Sequence, residues 1–504
     1  MVAAAIVAVL FAVCAWPLVF SENLLGRAAF DQLHYHEPAI RTFAAELPSP
    51  NLRDYRSATT PGYHLLLAVV CRVVTDSGMW LQFVSSLFTI ALLGAFAFVA
   101  TRTGRGRMPG ATAVLLTLPI IASIYVFFPG VWLLPDNLGW LLVLGTGVLS
   151  WRIADRGISI PTFFAAAVLL AAVVLTRQSH LWVAAMVWLG AWIGASPIGD
   201  GGLMGVLSRP SLRVRAFLVA LVATVPAVLL LLYFKSLWNG LTPPMFAFQY
   251  RQSWNPAAPA FILTLVAIFS VFFMGYIWDA AIRIATRHPV ELIGVLALGG
   301  LAAAIPATTY VHEERSTGLW NLVRVAPVIA DHTSVVLLIG APLGAWAMWA
   351  WFEALGARAR WFFVGALAAF GAAQTANPIC WQRYIEPLLL IAMGLGAASL
   401  PPAREPGSTT GLERFLLHAA PIARVKGPII LAVLFAALVV RSLQHPDVPW
   451  NTEIGPDGRR RVVGGVLVIP GVRMEEQEHR IPRSLPDTPP LSPSRSIDSP
   501  ESDR

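Results

Sequence analysis

The chain has 504 residues, 56% hydrophobic and 13% charged, with a formal net charge of +8. That balance excludes an ordinary soluble domain, and apolar runs without alternation exclude a β-barrel, which leaves a polytopic helical membrane protein. The excess charge reads as arginine-rich loops that hold topology rather than a nucleic-acid surface, and Cys14, Cys71 and Cys380 form no CxxC pair that would support a metal site or a disulfide framework.

Met1 to Phe20 is apolar, without a basic leader or a small-residue cleavage site, and reads as an uncleaved first span. The external loop 21–60 that follows is crowded with ionisable groups. "FDQLHYHEPAIRTF" carries Asp31, His34, Tyr35, His36, Glu37 and Arg41, and Asp54 and Arg56 come soon after. "SATTPGYHLL" then opens the segment 61–74. It contains His64 and Arg72 and is too short to span, so it is expected to lie as a helix along the outer membrane surface. Candidate spans lie near 1–20, 79–100, 110–129, 136–151, 159–176, 179–195, 215–235, 258–280, 289–307, 334–352, 361–376, 384–400 and 427–441.

The arginines test this arrangement. With the N-terminus inside and 61–74 on the surface, "RTGRGR" (102–107), "RIADR" (152–156), "RPSLRVR" (209–215), "RIATRH" (283–288) and "RAR" (358–360) all become cytoplasmic. So does the loop 401–426 with Arg404, Arg414, Arg424 and Lys426. Making 61–74 a span would put "RTGRGR" outside. The expectation is an all-α membrane domain over 1–441 with about thirteen transmembrane helices plus the surface helix. The Pro- and Ser-rich tail 442–504 is expected to be largely disordered, with a short strand pair at 459–471.

This topology gathers polar residues at the outer span ends. Besides the first loop there are Asp136 in "FFPGVWLLPDN", Arg177 and Gln178 in "LTRQSHLW", and Gln249, Tyr250 and Arg251. Further along come Arg324 in "YVHEERSTGLWNLVRV", Asp331 in "APVIADHTS", and Arg383 and Tyr384 in "NPICWQRYIEP". Charges at span ends line a cavity or pair with one another. A carboxylate there suits deprotonation of a sugar hydroxyl, and arginines suit a phosphate leaving group. No DxD, HExxH, Walker loop or GxSxG elbow supports a nucleotide-dependent site, and no dense carboxylate cluster demands a metal. No cofactor is expected.

The order of these segments resembles the dolichyl-phosphate-glucose-dependent α-1,2-glucosyltransferases, membrane enzymes of the GT-C fold. That family shows Asp-Glu-x-x-His after its first helix, then W-D-P-x-I-T-T-x-P-G-L-Y, R-Q-T-N-I-x-W, L-A-D-N-R-H-Y and a closing R-Y-x-x-x-P. Asp31 and His34 fit the first motif, with Phe30 in place of the other acid. Asp54, Thr59, Pro61 and Gly62 fit the second, and Arg177, Gln178 and Trp182 the third. Ala330 and Asp331 fit the fourth; Arg383, Tyr384 and Pro387 fit the last, with Pro387 one residue early. The matches span about 30 to 390 in the expected order.

The resemblance implies a GT-C-fold hexosyltransferase, a distant bacterial member in the inner membrane with its site on the outer, periplasmic side. It would move a glucose-like hexose from a polyprenyl- or dolichyl-phosphate carrier to a glycan or lipid-linked acceptor, with membrane lipids around it and no nucleic acid. Asp31, Glu37 and His34 are the catalytic candidates, with Asp31 the favoured base. Arg177, Arg383 and Arg324 would hold the donor phosphate; Asp54, Thr59, Asp136, Gln178, Asp331 and Tyr384 would contact substrate. The competing readings are a transporter or lipid flippase, which would place charges near the midplane, and a non-catalytic GT-C-fold lipid-binding protein.

Overall fold

A computed structural model describes residues 1–21, 27–103, 108–197, 202–247, 253–312, 314–400, 411–445, 452–454 and 460–462. The basic cluster 104–107, the polar residues 249–251 and most of the tail lie outside this set. The chain divides into two units, Met1–His445 and Pro446–Arg504. In the second, strands Thr452–Ile454 and Arg460–Val462 pair antiparallel. The second strand falls in the expected stretch, but its partner lies upstream of it.

Among the described residues, the regular structure of the first unit is helical apart from one two-residue strand pair, Val328–Ile329 with Thr333–Ser334. Four helices among the described residues are long and apolar enough to cross a membrane: Val2–Phe20, Gly78–Ala100, Val335–Ala354 and Ala420–Gln444. The number rises to seven if each of three bent helix pairs is one span. The other expected spans fall on helices that are shorter or carry charge. Ile160–Thr176 and Pro289–Ala304 are short, whereas Asp136–Arg156 and Ala357–Thr375 hold arginines at an end.

Three segments expected as continuous spans are broken. The 110–129 run bends by 74° between Gly110–Ala122 and Ile124–Val131. Ser123 is extended there, and its side chain accepts from the Tyr125 amide to start the second piece. The 215–235 run bends by 42° between Pro210–Ala223 and Val225–Trp238. Pro226 follows the bend, where it removes an amide donor and crowds the preceding turn. The 258–280 run turns by 110° between Ala258–Phe272 and Met274–Arg287. The second helix carries Asp279, Arg283 and Arg287, and hydrocarbon would penalise that charged face.

The segment 61–74 is the helix Gly62–Val73, and it is docked rather than loose. Tyr63, Leu67, Ala68 and Cys71 pack with Ile40, Phe43 and Ala44 of the helix Glu37–Glu46 into a core of their own, joined by Tyr55, Phe234 and Trp238. Gly62 is required by close approach: a Cβ there would lie 2.6 Å from the Leu175 carbonyl. Thr60 adds a hydroxyl hydrogen bond of 2.5 Å to the Val174 carbonyl. The Thr-Thr-Pro-Gly turn thus fastens the first loop to the end of Ile160–Thr176, where Arg177 begins the next motif.

Candidate active site

Four charged residues from four distant segments meet. Asp31 ends the short helix Arg27–Asp31. Asp136 starts the helix Asp136–Arg156, Arg177 caps Ile160–Thr176, and Arg383 lies on the 3-10 turn Gln382–Tyr384. Asp136 is the hub. Its Oδ1 accepts from Arg177 Nη1 at 2.6 Å and from Arg383 Nε at 3.1 Å, and its Oδ2 accepts from Arg383 Nη2 at 2.7 Å. Arg383 Nη1 donates to Asp31 Oδ2 at 3.1 Å. The Tyr384 ring lies under the Arg177 guanidinium, 4.6 Å from centroid to Cζ.

Two carboxylates and two guanidiniums cancel in charge, which is what burial at this density requires. The cluster has a closed and an open side. The side chain of Asp136 is 1% exposed, whereas those of Arg383 and Asp31 are 21% and 25% exposed. Asp31 is therefore the accessible carboxylate of the cluster, and Arg383 is the guanidinium beside it.

Asp31 is aimed by an uncommon turn. Gln32–His36 forms a π-helix, and the Glu37 amide bonds to the Gln32 carbonyl, five residues back. Such bulges recur at functional sites because they rotate the residues before them off the regular helical face. Gln32 anchors the bulge: its Oε1 accepts from the Leu133 amide at 3.0 Å, three residues before Asp136.

The other expected site residues divide. Gln178 belongs to the assembly: its amide nitrogen donates to the Ala58 and Leu241 carbonyls, and its Oε1 accepts from the Thr60 amide. Thr59 is buried close by, 3.3 Å from Ser57 Oγ. Glu37 is engaged by Arg41, at 2.5 and 3.0 Å, and by Gln32 at 3.1 Å. His34 packs its ring 4.1 Å from that of Phe30, the residue that replaces the missing acid.

Three of the expected residues lie apart from the cluster. Asp54 is exposed and accepts from Asn51 in a local turn. Asp331 is exposed at φ +53° in the turn between the two short strands, where the tight reversal faces it outward. Arg324 is exposed and lies 5.7 Å over the Tyr310 ring. None of the three bonds to the cluster.

Several buried polar groups were not expected. Arg315 sits in a cage of neutral acceptors, the Asn255 side chain and the Ala307 and Thr309 carbonyls. Glu386 accepts from Ser123 at 2.5 Å and from Gln382 at 2.6 Å, so it is not the partner of Arg383. His36, His64 and Tyr55 form a buried hydrogen-bonded series beside Asp31. Burial holds His36 down to about 4 and His64 well below its ordinary range, so both rings are neutral at neutral pH. The sequence signals were faint: a histidine inside an apolar helix, and two histidines in one loop. Among the described residues, no three His, Cys, Asp or Glu side chains gather in a way that would hold a metal ion.

The chain finds no match among models of protein families, among curated proteins or among solved structures.

Proposed function

We propose that this chain is a membrane glycosyltransferase of GT-C type, which moves a hexose from a polyprenyl-phosphate carrier to a hydroxyl acceptor on the outer face of the membrane. The observation that carries the reading is the convergence of Asp31, Asp136, Arg177, Arg383 and Tyr384 into one cluster. Residues from three of the family-like motifs meet there, and Gln178 ties the second of those motifs to the third.

In this reading the donor phosphate draws the Arg383 guanidinium away from Asp31. Arg383 keeps its paired contact to Asp136, which holds the fork in place for a phosphate oxygen. Asp31, relieved of its partner, accepts the acceptor's hydroxyl proton as that oxygen attacks C1 of the sugar. The bond from C1 to the phosphate oxygen breaks, and its electron pair leaves with the polyprenyl phosphate. Arg177 offsets the charge that develops there. Glu37 is a weaker base candidate because Arg41 and Gln32 already occupy it.

Bent helices favour a second reading. Transporters build their sites at discontinuous helices, and this chain has three bent pairs. The four-residue ion cluster, however, draws on none of the three pairs, which favours the enzyme. Deleting the gene tests the transferase reading. The transferase reading expects a polyprenyl-phosphate hexose to accumulate; unchanged lipid-linked sugar pools reject it.

A further inference from the structure

The buried series next to Asp31 has a direction. His36 Nδ1 lies 2.8 Å from His64 Nε2, and His64 Nδ1 lies 2.5 Å from the Tyr55 hydroxyl. The two imidazole planes are inclined by 22°, with their centroids 5.1 Å apart. Tyr55 is itself fixed: its ring stacks on Phe43 and Trp238, and the Trp238 indole donates to the Leu52 carbonyl. With both rings neutral, each group brings one proton. The series then runs one way throughout, either from Tyr55 to His36 or the reverse.

Acidity chooses between the two. A tyrosine hydroxyl is a far stronger acid than the N–H of a neutral imidazole, and an imidazole nitrogen is a far stronger base than a phenol oxygen. The Tyr55 hydroxyl therefore donates to His64 Nδ1. His64 Nε2–H must then donate to His36 Nδ1, which leaves His36 carrying its proton on Nε2, on the far side of the ring. Asp31 immediately precedes the π-helix that His36 ends. Five residues apart is the bonded spacing of that helix, so the two lie one turn apart on the same side. The charged groups that act on His36 are Asp31 foremost, then Arg383, Asp136 and Arg177, while His64 also faces it from the Gly62–Val73 helix.

We propose that Tyr55, His64 and His36 form a one-way hydrogen-bond chain that presents the His36 Nε2–H toward Asp31, making all three positioning residues for the base. This rests on the transferase reading given above. The chain holds Asp31 in its reactive orientation when Arg383 turns to the phosphate, because a second donor then remains on that side. None of the three touches substrate.

Histidine ¹⁵N NMR of the full chain in lipid nanodiscs tests the direction without any activity measurement. Signals are assigned by subtraction with His36→Asn and His64→Asn. Both residues are expected as Nε2–H tautomers at pH 7.5; two Nδ1–H tautomers overturn the proposal. The second arm is kinetic. Tyr55→Phe removes the first donor and should lower kcat about tenfold, the scale of one net hydrogen bond, with donor KM unchanged. It should cost nothing further in an Asp31→Asn background. A Tyr55→Phe effect confined to KM, or one that persists in that background, also overturns the proposal. If the tautomers are as expected and the wild-type protein transfers no sugar, the transferase reading fails and the hydrogen-bond chain stands.

Discussion

Asp136→Asn perturbs the centre of the site. The substitution keeps the shape but removes the charge, and it turns one acceptor oxygen into a donor that faces guanidinium donors. Arg383 keeps Asp31 as a partner, but Arg177 has Asp136 as its one ion-pair partner among the described residues. Asp136 is fully buried and Arg177 nearly so, so solvent does not take over. Removing one partner of such a pair costs about 3–5 kcal/mol. Arg177→Met should cost a similar amount by leaving the carboxylate with one guanidinium. The double variant removes both charges and should lie well above the sum of the single losses, with a coupling of about 2–3 kcal/mol. Equilibrium unfolding of the detergent-solubilised protein, followed by tryptophan fluorescence, measures each step as a change in midpoint at constant slope. Single losses that add to within about 0.5 kcal/mol refute the reasoning, since independent sites behave that way.

Arg383→Lys should keep the charge and lose the paired geometry toward Asp136, so transfer falls sharply while the protein still inserts; transfer equal to wild type removes Arg383 from the site. Acid should destabilise the fold through His36, whose buried ring is held down to about 4. The unfolded ring titrates near 6.5, so this contribution is complete above that pH and is lost as the pH falls to about 4, roughly 3 kcal/mol in all. His36→Asn should flatten the unfolding midpoint against pH between those values, and an unchanged slope contradicts the assignment. Gly318→Ala places a Cβ against the Gln382 side chain at φ +55°. It should cost about 1–3 kcal/mol in backbone strain alone and disturb the Arg383 turn, so transfer and thermal stability fall together; a variant with wild-type values of both shows that the turn adapts.

The membrane class and most helices were legible because apolar runs and arginine clusters are local signals. The bends were not. At Phe273 no proline marks the 110° turn, and only the later Asp279, Arg283 and Arg287 betray a helix that leaves the apolar direction. The site was legible as a set of residues and not as a set of partners. Asp31, Arg177 and Arg383 were visible as charges at span ends, but whether Arg383 bonds to a carboxylate close in sequence, such as Glu386, or to Asp136, 247 residues away, depends on packing. Asp136 read as one substrate contact among several and is the hub of the cluster for the same reason. Arg324 and Asp331 read as members of the same outer set, and both stand exposed outside the cluster. The His36–His64–Tyr55 series needs a π-helical turn to assemble, and no short motif in the sequence announces one.

The central claim is that Asp31 removes a proton while a lipid phosphate leaves. The most direct test is transfer of radiolabelled hexose from a polyprenyl-phosphate donor by the purified protein in liposomes, with wild type, Asp31→Asn and Glu37→Gln compared at saturating donor. A positioned base contributes about 100- to 10,000-fold, so Asp31→Asn should lower kcat by that factor with donor KM little changed. Glu37→Gln, which loosens the Arg41 and Gln32 contacts, should retain most of the rate. Wild-type turnover by Asp31→Asn, together with an inactive Glu37→Gln, would contradict the account and move the base to Glu37.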